Sequence, residues 1–207
     1  MKDYKKIVLA NWKMKLDLNT SIDLAEQMEK EFRVFEDREV VLCPEFVSLK
    51  AVGESIEGSV LKLGAQDMFW EEEGSYTGEV APSNLKQAGC DYVIVGHSER
   101  RKYLLENYQA INRKVKTALA NDLTPVMCIG ENEGEKEKGE RKQVLEEQLH
   151  QGLAGVEPEE GQKLVIAYEP LWAIGSGKTI TEGDIQEIYS FLDSVLKEIF
   201  PEKRENI

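Results

Sequence analysis

The chain has 207 residues, 41% of them hydrophobic and 31% charged, and a formal net charge of −13. That length suits one domain with a sizeable core. No apolar run approaches the roughly 20 residues that span a bilayer, and the basic patch of a nucleic-acid binder is missing from the sequence.

In chain order, short β-branched runs alternate with longer amphipathic ones. The predicted strands cover residues 7–9, 40–43, 61–64, 92–95, 125–129 and 164–167. They are nearly continuous in apolar residues, as strands buried on both faces should be. Between them lie helical patterns. Ile111, Val115, Ala118 and Leu119 share a face, and Leu145, Leu149 and Leu153 recur at four-residue steps. Ile185, Ile188, Leu192, Val195 and Ile199 follow a 3,4 rhythm along a last helix over about 181–200. Six βα units around a parallel sheet are expected, with a seventh strand starting at Asn206 and Ile207. No Pro/Gly/Ser-rich linker divides the chain, so residues 1–207 are read as one domain. The charged stretch 131–141 (ENEGEKEKGER) reads as a solvated loop leading into a helix.

The polar start and the short apolar run at 7–10 do not make a signal-peptide core. Cys43, Cys90 and Cys128 stand far apart in apolar runs, without a CxxC or Cys/His pattern. Buried free thiols and a cytoplasmic location are expected. Two nucleotide-binding patterns fail. The first strand leads into Asn11-Trp12-Lys13-Met14 rather than GxGxxG, and Gly177-Lys178-Thr179 has Trp172 where a P-loop needs its first glycine.

Parallel α/β proteins bind ligands at the carboxyl ends of their strands. Asn11 and Lys13 follow the first predicted strand, His97, Ser98 and Glu99 the fourth, Cys128, Gly130 and Glu131 end the fifth, and Glu169 and Pro170 follow the sixth. A carboxylate base, an imidazole electrophile and a fixed lysine are the parts that move a proton beside a carbonyl.

These segments resemble the triosephosphate isomerase family. The resemblance lies in Ala10-Asn11-Trp12-Lys13-Met14, Gly64-Ala65-Gln66-Asp67, Tyr76-Thr77-Gly78-Glu79, the run from Val93 to Arg101 centred on Gly96-His97-Ser98-Glu99, Cys128-Ile129-Gly130-Glu131, and the run from Ala167 to Thr179. It implies an α/β fold of the TIM-barrel type, (β/α)8-like but with six βα units encoded. It implies an isomerase of glycolysis and gluconeogenesis that needs no metal and no organic cofactor, acting on a small phosphorylated triose. By the same resemblance Glu169 takes the proton, His97 polarises the carbonyl oxygens, and Lys13 supplies positive charge. Asn11 hydrogen-bonds near the same oxygens, and the amide of Gly175 in a lid over 170–179 binds phosphate. Glu99 neighbours Lys13, while Cys128 and Glu131 read as structural supports. A neutral histidine tuned by a helix N-terminus and a closing lid are known features of the family's enzyme, and the segment after His97 offers such a helix start.

The resemblance further implies a homodimer or higher homo-oligomer. A long third loop over 72–79 would bring Thr77 toward a partner's Asn11 and Lys13, with Met68, Phe69 and Trp70 adding interface area. The family continues with a seventh and an eighth strand, whose glycine-rich loops donate amides to phosphate. These 207 residues read as a form short of the last two units, with open strand edges covered by association. Two readings stand open: an isomerase with weakened phosphate binding, and a silent or severely impaired fragment acting only as a folding and association unit.

Overall fold

A computed structural model of the chain describes residues 6–34 and 37–201. Six strands occur among the described residues: β1 (Lys6–Asn11), β2 (Arg38–Cys43), β3 (Lys62–Ala65), β4 (Cys90–Val95), β5 (Thr124–Ile129) and β6 (Val165–Tyr168). Helices follow each of them: α1 (Leu18–Phe32), α2 (Phe46–Ser55), α3 (Pro82–Gln87), α4 (Ser98–Tyr103) with α5 (Tyr108–Ala120), α6 (Glu133–Glu137) with α7 (Arg141–Gly152), and α8 (Glu182–Ile199). This is the TIM-barrel type of chain with six βα units. Each strand overlaps its predicted run and differs from it by no more than two residues at either end. The seventh strand expected at Asn206 lies outside the described residues.

The chain forms two compact units: residues 1–94 with 120–124, and residues 95–119 with 125–207. In the first unit β1 pairs in parallel with β2, β2 with β3, and β3 with β4. Val40, Val41, Leu42, Leu63, Tyr92 and Val93 fill its core. The β3–β4 register shifts between Leu63 and Gly64. Gly64 is needed there, since a Cβ would stand 2.6 Å from the Cys43 sulfur. Two strands depart from the expected burial: in β1 Ile7 is 39% and Val8 44% exposed, and every residue of β6 is only half-buried. Asp17 caps α1 by accepting from the Thr20 amide at 2.8 Å.

In the second unit β5 pairs in parallel with β6, from Val126 opposite Val165 to Ile129 opposite Tyr168. Most of the helical faces read from the sequence are buried: Ile111, Val115, Ala118 and Leu119 on α5, Leu145 and Leu149 on α7, and Ile188, Leu192 and Val195 on α8, while Ile185 and Ile199 at the ends of the α8 stripe are half-buried. Thr181 caps α8 through the Asp184 amide, at 3.1 Å.

Two expectations are corrected. The stretch 131–141 is not a plain solvated loop. It contains α6, opened by a capping box in which Asn132 and Glu135 each accept the other's amide, and its first residue, Glu131, is fully buried. Met68 and Phe69 do not supply interface area, because both are buried in the first unit. Phe69 stacks on Trp70 with centroids 4.1 Å apart, and its amide donates to the Val80 carbonyl at 2.9 Å, which closes the loop between them. Cys43, Cys90 and Cys128 are buried free thiols.

Candidate active site

The first unit holds Asn11 and Lys13. Asn11 ends β1, and its Oδ1 accepts the Lys13 amide at 3.0 Å. Lys13 sits at φ 53°, a left-handed conformation that costs a β-carbon residue energy and needs its surroundings to hold it. The holding group is Gln66, just past β3. Its Nε2 donates to the carbonyls of Lys13 and Cys43, both at 2.9 Å. Gln66 stands in the recognised motif, but nothing in the sequence assigns it this clamp. A lone glutamine carries no periodic signal, and its acceptors lie 53 and 23 residues away.

The second unit holds His97, Glu99, Glu169 and Gly175. Gly96 turns at φ 71° directly after β4, and His97 follows as the N-cap of α4. His97 Nδ1 accepts the Glu99 amide at 3.2 Å. An amide can only donate, so Nδ1 is the unprotonated nitrogen and the ring proton belongs on Nε2. The Glu99 carboxylate, 3.6 Å from Nδ1, is too far to compete. His97 Nε2 lies 3.1 Å from Glu169 Oε1, and Glu169 Oε2 accepts the Ser98 amide at 3.3 Å. The structure thus brings together the predicted base and the predicted electrophile, 72 positions apart in sequence. Burial pushes the Glu169 carboxyl up, but the hydrogen bonds from His97 and the Ser98 amide outweigh it and hold the group below its ordinary value of 4.5. Burial, then the charge of Glu169, raises the Cys128 thiol well above its ordinary range.

Glu169 is placed by backbone. Its amide donates to the Ile129 carbonyl at 2.7 Å, continuing the β5–β6 pairing one residue past β6. Gly130 packs against that peptide so closely that a Cβ would fall 1.8 Å from the Glu169 carbonyl oxygen. Gln148 holds Gly130 from both sides, accepting its amide at 2.8 Å and donating to its carbonyl at 3.0 Å.

The segment after Glu169 forms consecutive turns from Leu171 to Ser176, with Gly175 and Gly177 at φ 69° and 73°. Its start is anchored at Glu131. The Leu171 amide donates to the Glu131 carbonyl at 3.1 Å, and Trp172 Nε1 donates to the Glu131 carboxylate at 2.8 Å. The same carboxylate accepts the Tyr168 hydroxyl at 3.0 Å and pairs with Arg141 at 3.0 Å. Lys136 lies over the Trp172 ring, 3.2 Å from its centre. The far end is tied by an ion pair between Lys178 and Glu133. Trp172 is buried, whereas Ile174 and Gly175 are exposed. Among the described residues no group of three or more His, Cys, Asp or Glu is arranged to hold a metal ion, and no helix is long and apolar enough to cross a membrane.

Comparison with known proteins supplies the remaining observation. The family model described as triosephosphate isomerase matches residues 6–207. The triosephosphate isomerase of Dictyoglomus turgidum is 43% identical over 199 residues, 96% of this chain and 80% of that protein. That of Clostridium tetani is 43% identical over 199 residues, covering 96% and 78%, and that of Clostridium beijerinckii 44% over 199, covering 95% and 79%. A match running the whole described length, with the strand ends placed as above, means that this chain belongs to the triosephosphate isomerase family of isomerases.

Proposed function

We propose that the chain interconverts dihydroxyacetone phosphate and glyceraldehyde 3-phosphate by proton transfer through an enediolate. The observation that carries this reading is the contact between Glu169 and the Nε2 side of His97, at 3.1 Å. A carboxylate held ionised is a base, and a neutral imidazole whose one proton points to the same place is a hydrogen-bond donor for a carbonyl oxygen. Glu169 abstracts the proton beside the carbonyl, and His97 stabilises the oxygens on which charge develops. Lys13 adds a positive charge and Asn11 a hydrogen bond, and the Gly175 amide binds phosphate when the lid closes. Closure excludes water and protects the enediolate from losing phosphate. The assay is isomerase turnover by purified chain, with Glu169→Gln alongside. Turnover that survives this substitution unchanged would assign the activity to another protein in the preparation.

A polypeptide of these 207 residues binds phosphate more weakly than a relative with further glycine-rich loops. Each charge-assisted hydrogen bond lost costs about 1.5–3 kcal/mol, so activity falls and KM rises. The two units act as one domain, for which the absence of a linker-like segment in the sequence speaks. The exposed Ile7 and Val8 on β1, and exposed loop 71–79, support a homo-oligomer; light scattering that returned a stable monomer at micromolar concentration would remove that part. Three free buried thiols suit the reducing cytoplasm.

A further inference from the structure

His97 is held by more than its own cap. Arg101, one turn along α4, donates its main-chain N–H to the His97 carbonyl at 3.1 Å. Its side chain folds back, and Nε donates to the Gly96 carbonyl at 3.0 Å. The Gly96 carbonyl belongs to the peptide entering His97 and the His97 carbonyl to the peptide leaving it. The leaving peptide is held by main-chain amides alone, since the Arg100 amide donates to the same His97 carbonyl at 2.9 Å; the Arg101 side chain is what fixes the entering peptide, and with it the direction of the ring. The turn has no slack to find this direction by another route: Gly96 sits at φ 71°, and a Cβ there would lie 2.8 Å from Ile111 Cδ1. The guanidinium is steered in turn by Tyr108, the first residue of α5, whose hydroxyl accepts from Nη1 at 3.0 Å.

The third arm of the fork argues that this is not simple bracing. Arg101 Nη2 is buried and has no acceptor among the described groups. A buried charged N–H without a partner works against stability, and an apolar residue would fill the space at less cost. What the arginine supplies, and an apolar residue cannot, is a rigid fork that holds two oxygens at once.

We propose that the Arg101 side chain is a positioning group for His97, acting through the Gly96 carbonyl, with Tyr108 setting the angle of its guanidinium. The proposal rests on the reading of His97 as the group that polarises the substrate carbonyl. A ring displaced by about 1 Å loses up to about a hundredfold in rate, so kcat is the quantity that responds.

The test compares Arg101→Met, Arg101→Lys and Tyr108→Phe in the full chain, by kcat, KM, thermal midpoint and the 15N–1H signals of the His97 ring. Arg101→Met is expected to lower kcat about 10- to 100-fold, with KM nearly unchanged and the ring signals shifted. Arg101→Lys recovers part of both, because an ammonium still reaches the Gly96 carbonyl but cannot also hold Tyr108. Tyr108→Phe gives a smaller change in the same direction. Ring signals unmoved in folded Arg101→Met, or a rate loss that only tracks the unfolded fraction, would overturn the proposal. Should that variant not fold, unmoved ring signals and full kcat in Arg101→Lys would overturn it equally. A parent chain without turnover would remove the functional reading, and the ring signals would still decide the role of Arg101.

Discussion

Replacing Glu131 by Gln should unfold the second unit at markedly lower temperature. The carboxylate is fully buried and accepts from Trp172 at 2.8 Å and Tyr168 at 3.0 Å, while pairing with Arg141 at 3.0 Å. Glutamine keeps one acceptor oxygen and presents an NH2 where the other stood, so at least one donor faces a donor. Breaking a buried ion pair from one side costs about 3–5 kcal/mol. The lower end applies, because Arg141, 16% exposed, also reaches Asp184 at 3.5 Å and keeps part of its compensation. A loss near 3 kcal/mol corresponds to about 6–12 °C in a chain of this size. Thermal unfolding followed by circular dichroism measures it, and Trp172 fluorescence reports the lid anchor in the same sample. A midpoint lowered by less than about 2 °C would refute the reasoning, since it would mean that the buried charge contributes no more than a surface pair.

Gly130→Ala places a methyl 1.8 Å from the Glu169 carbonyl oxygen. The peptide carrying the base must shift, and isomerase turnover should fall by about a hundredfold or more; a variant with parental kcat would show that the base does not depend on this packing. The Glu169 carboxyl lies below its ordinary 4.5, so the stability it contributes is complete above 4.5 and is lost as pH falls through the lower folded value. His97→Asn removes the main lowering partner and leaves burial, so the Glu169 13C titration should move upward; an unmoved titration would contradict the assignment of cause. Burial raises Cys90 from 9.0 to about 12 and raises Cys43 and Cys128 as well. Native chain at pH 8 should therefore react with a thiol reagent far more slowly than unfolded chain, and stability should fall as pH rises from 9. Rapid labelling of native protein would argue against buried thiols.

β2 to β5 were legible because both-face burial writes itself as a continuous apolar run, and the helices because α5, α7 and α8 bury one face at a fixed period; β1 and β6 are apolar in sequence without being buried on both faces. The strand ends placed His97 and Glu169 correctly after β4 and β6, since parallel strands carry their polar residues past the carboxyl end. What stayed illegible has one physical character. Glu131 looks like the first charge of a solvated run, and only partners 10, 37 and 41 residues away make it a buried acceptor. Lys13 gives no sign of its positive φ, because the conformation is imposed by Asn11 and Gln66 rather than chosen by lysine. Arg101 reads as one of two adjacent arginines, and its fold-back onto Gly96 depends on a turn that the sequence marks only with a glycine. Periodicity reports burial of surfaces; it does not report which polar atom meets which.

The same distinction bears on the chemistry. In the structure Glu169 spends one oxygen on His97 and the other on the Ser98 amide. The base and the electrophile satisfy each other, and a carboxylate so engaged is a weaker base than one left facing a substrate carbon. On the proposed mechanism this arrangement is a resting state rather than a reacting one. In that mechanism, a substrate carbonyl that accepts the Nε2–H hydrogen bond of His97 releases Glu169 from that contact, and the release restores basicity at the moment the carbon acid arrives. Coupling of this kind needs the imidazole to stay in place while the carboxylate moves. On that reading the groups fixing His97, the Glu99 amide on Nδ1 and the Arg101 side chain on the Gly96 carbonyl, bear on rate alongside Glu169, which takes the proton.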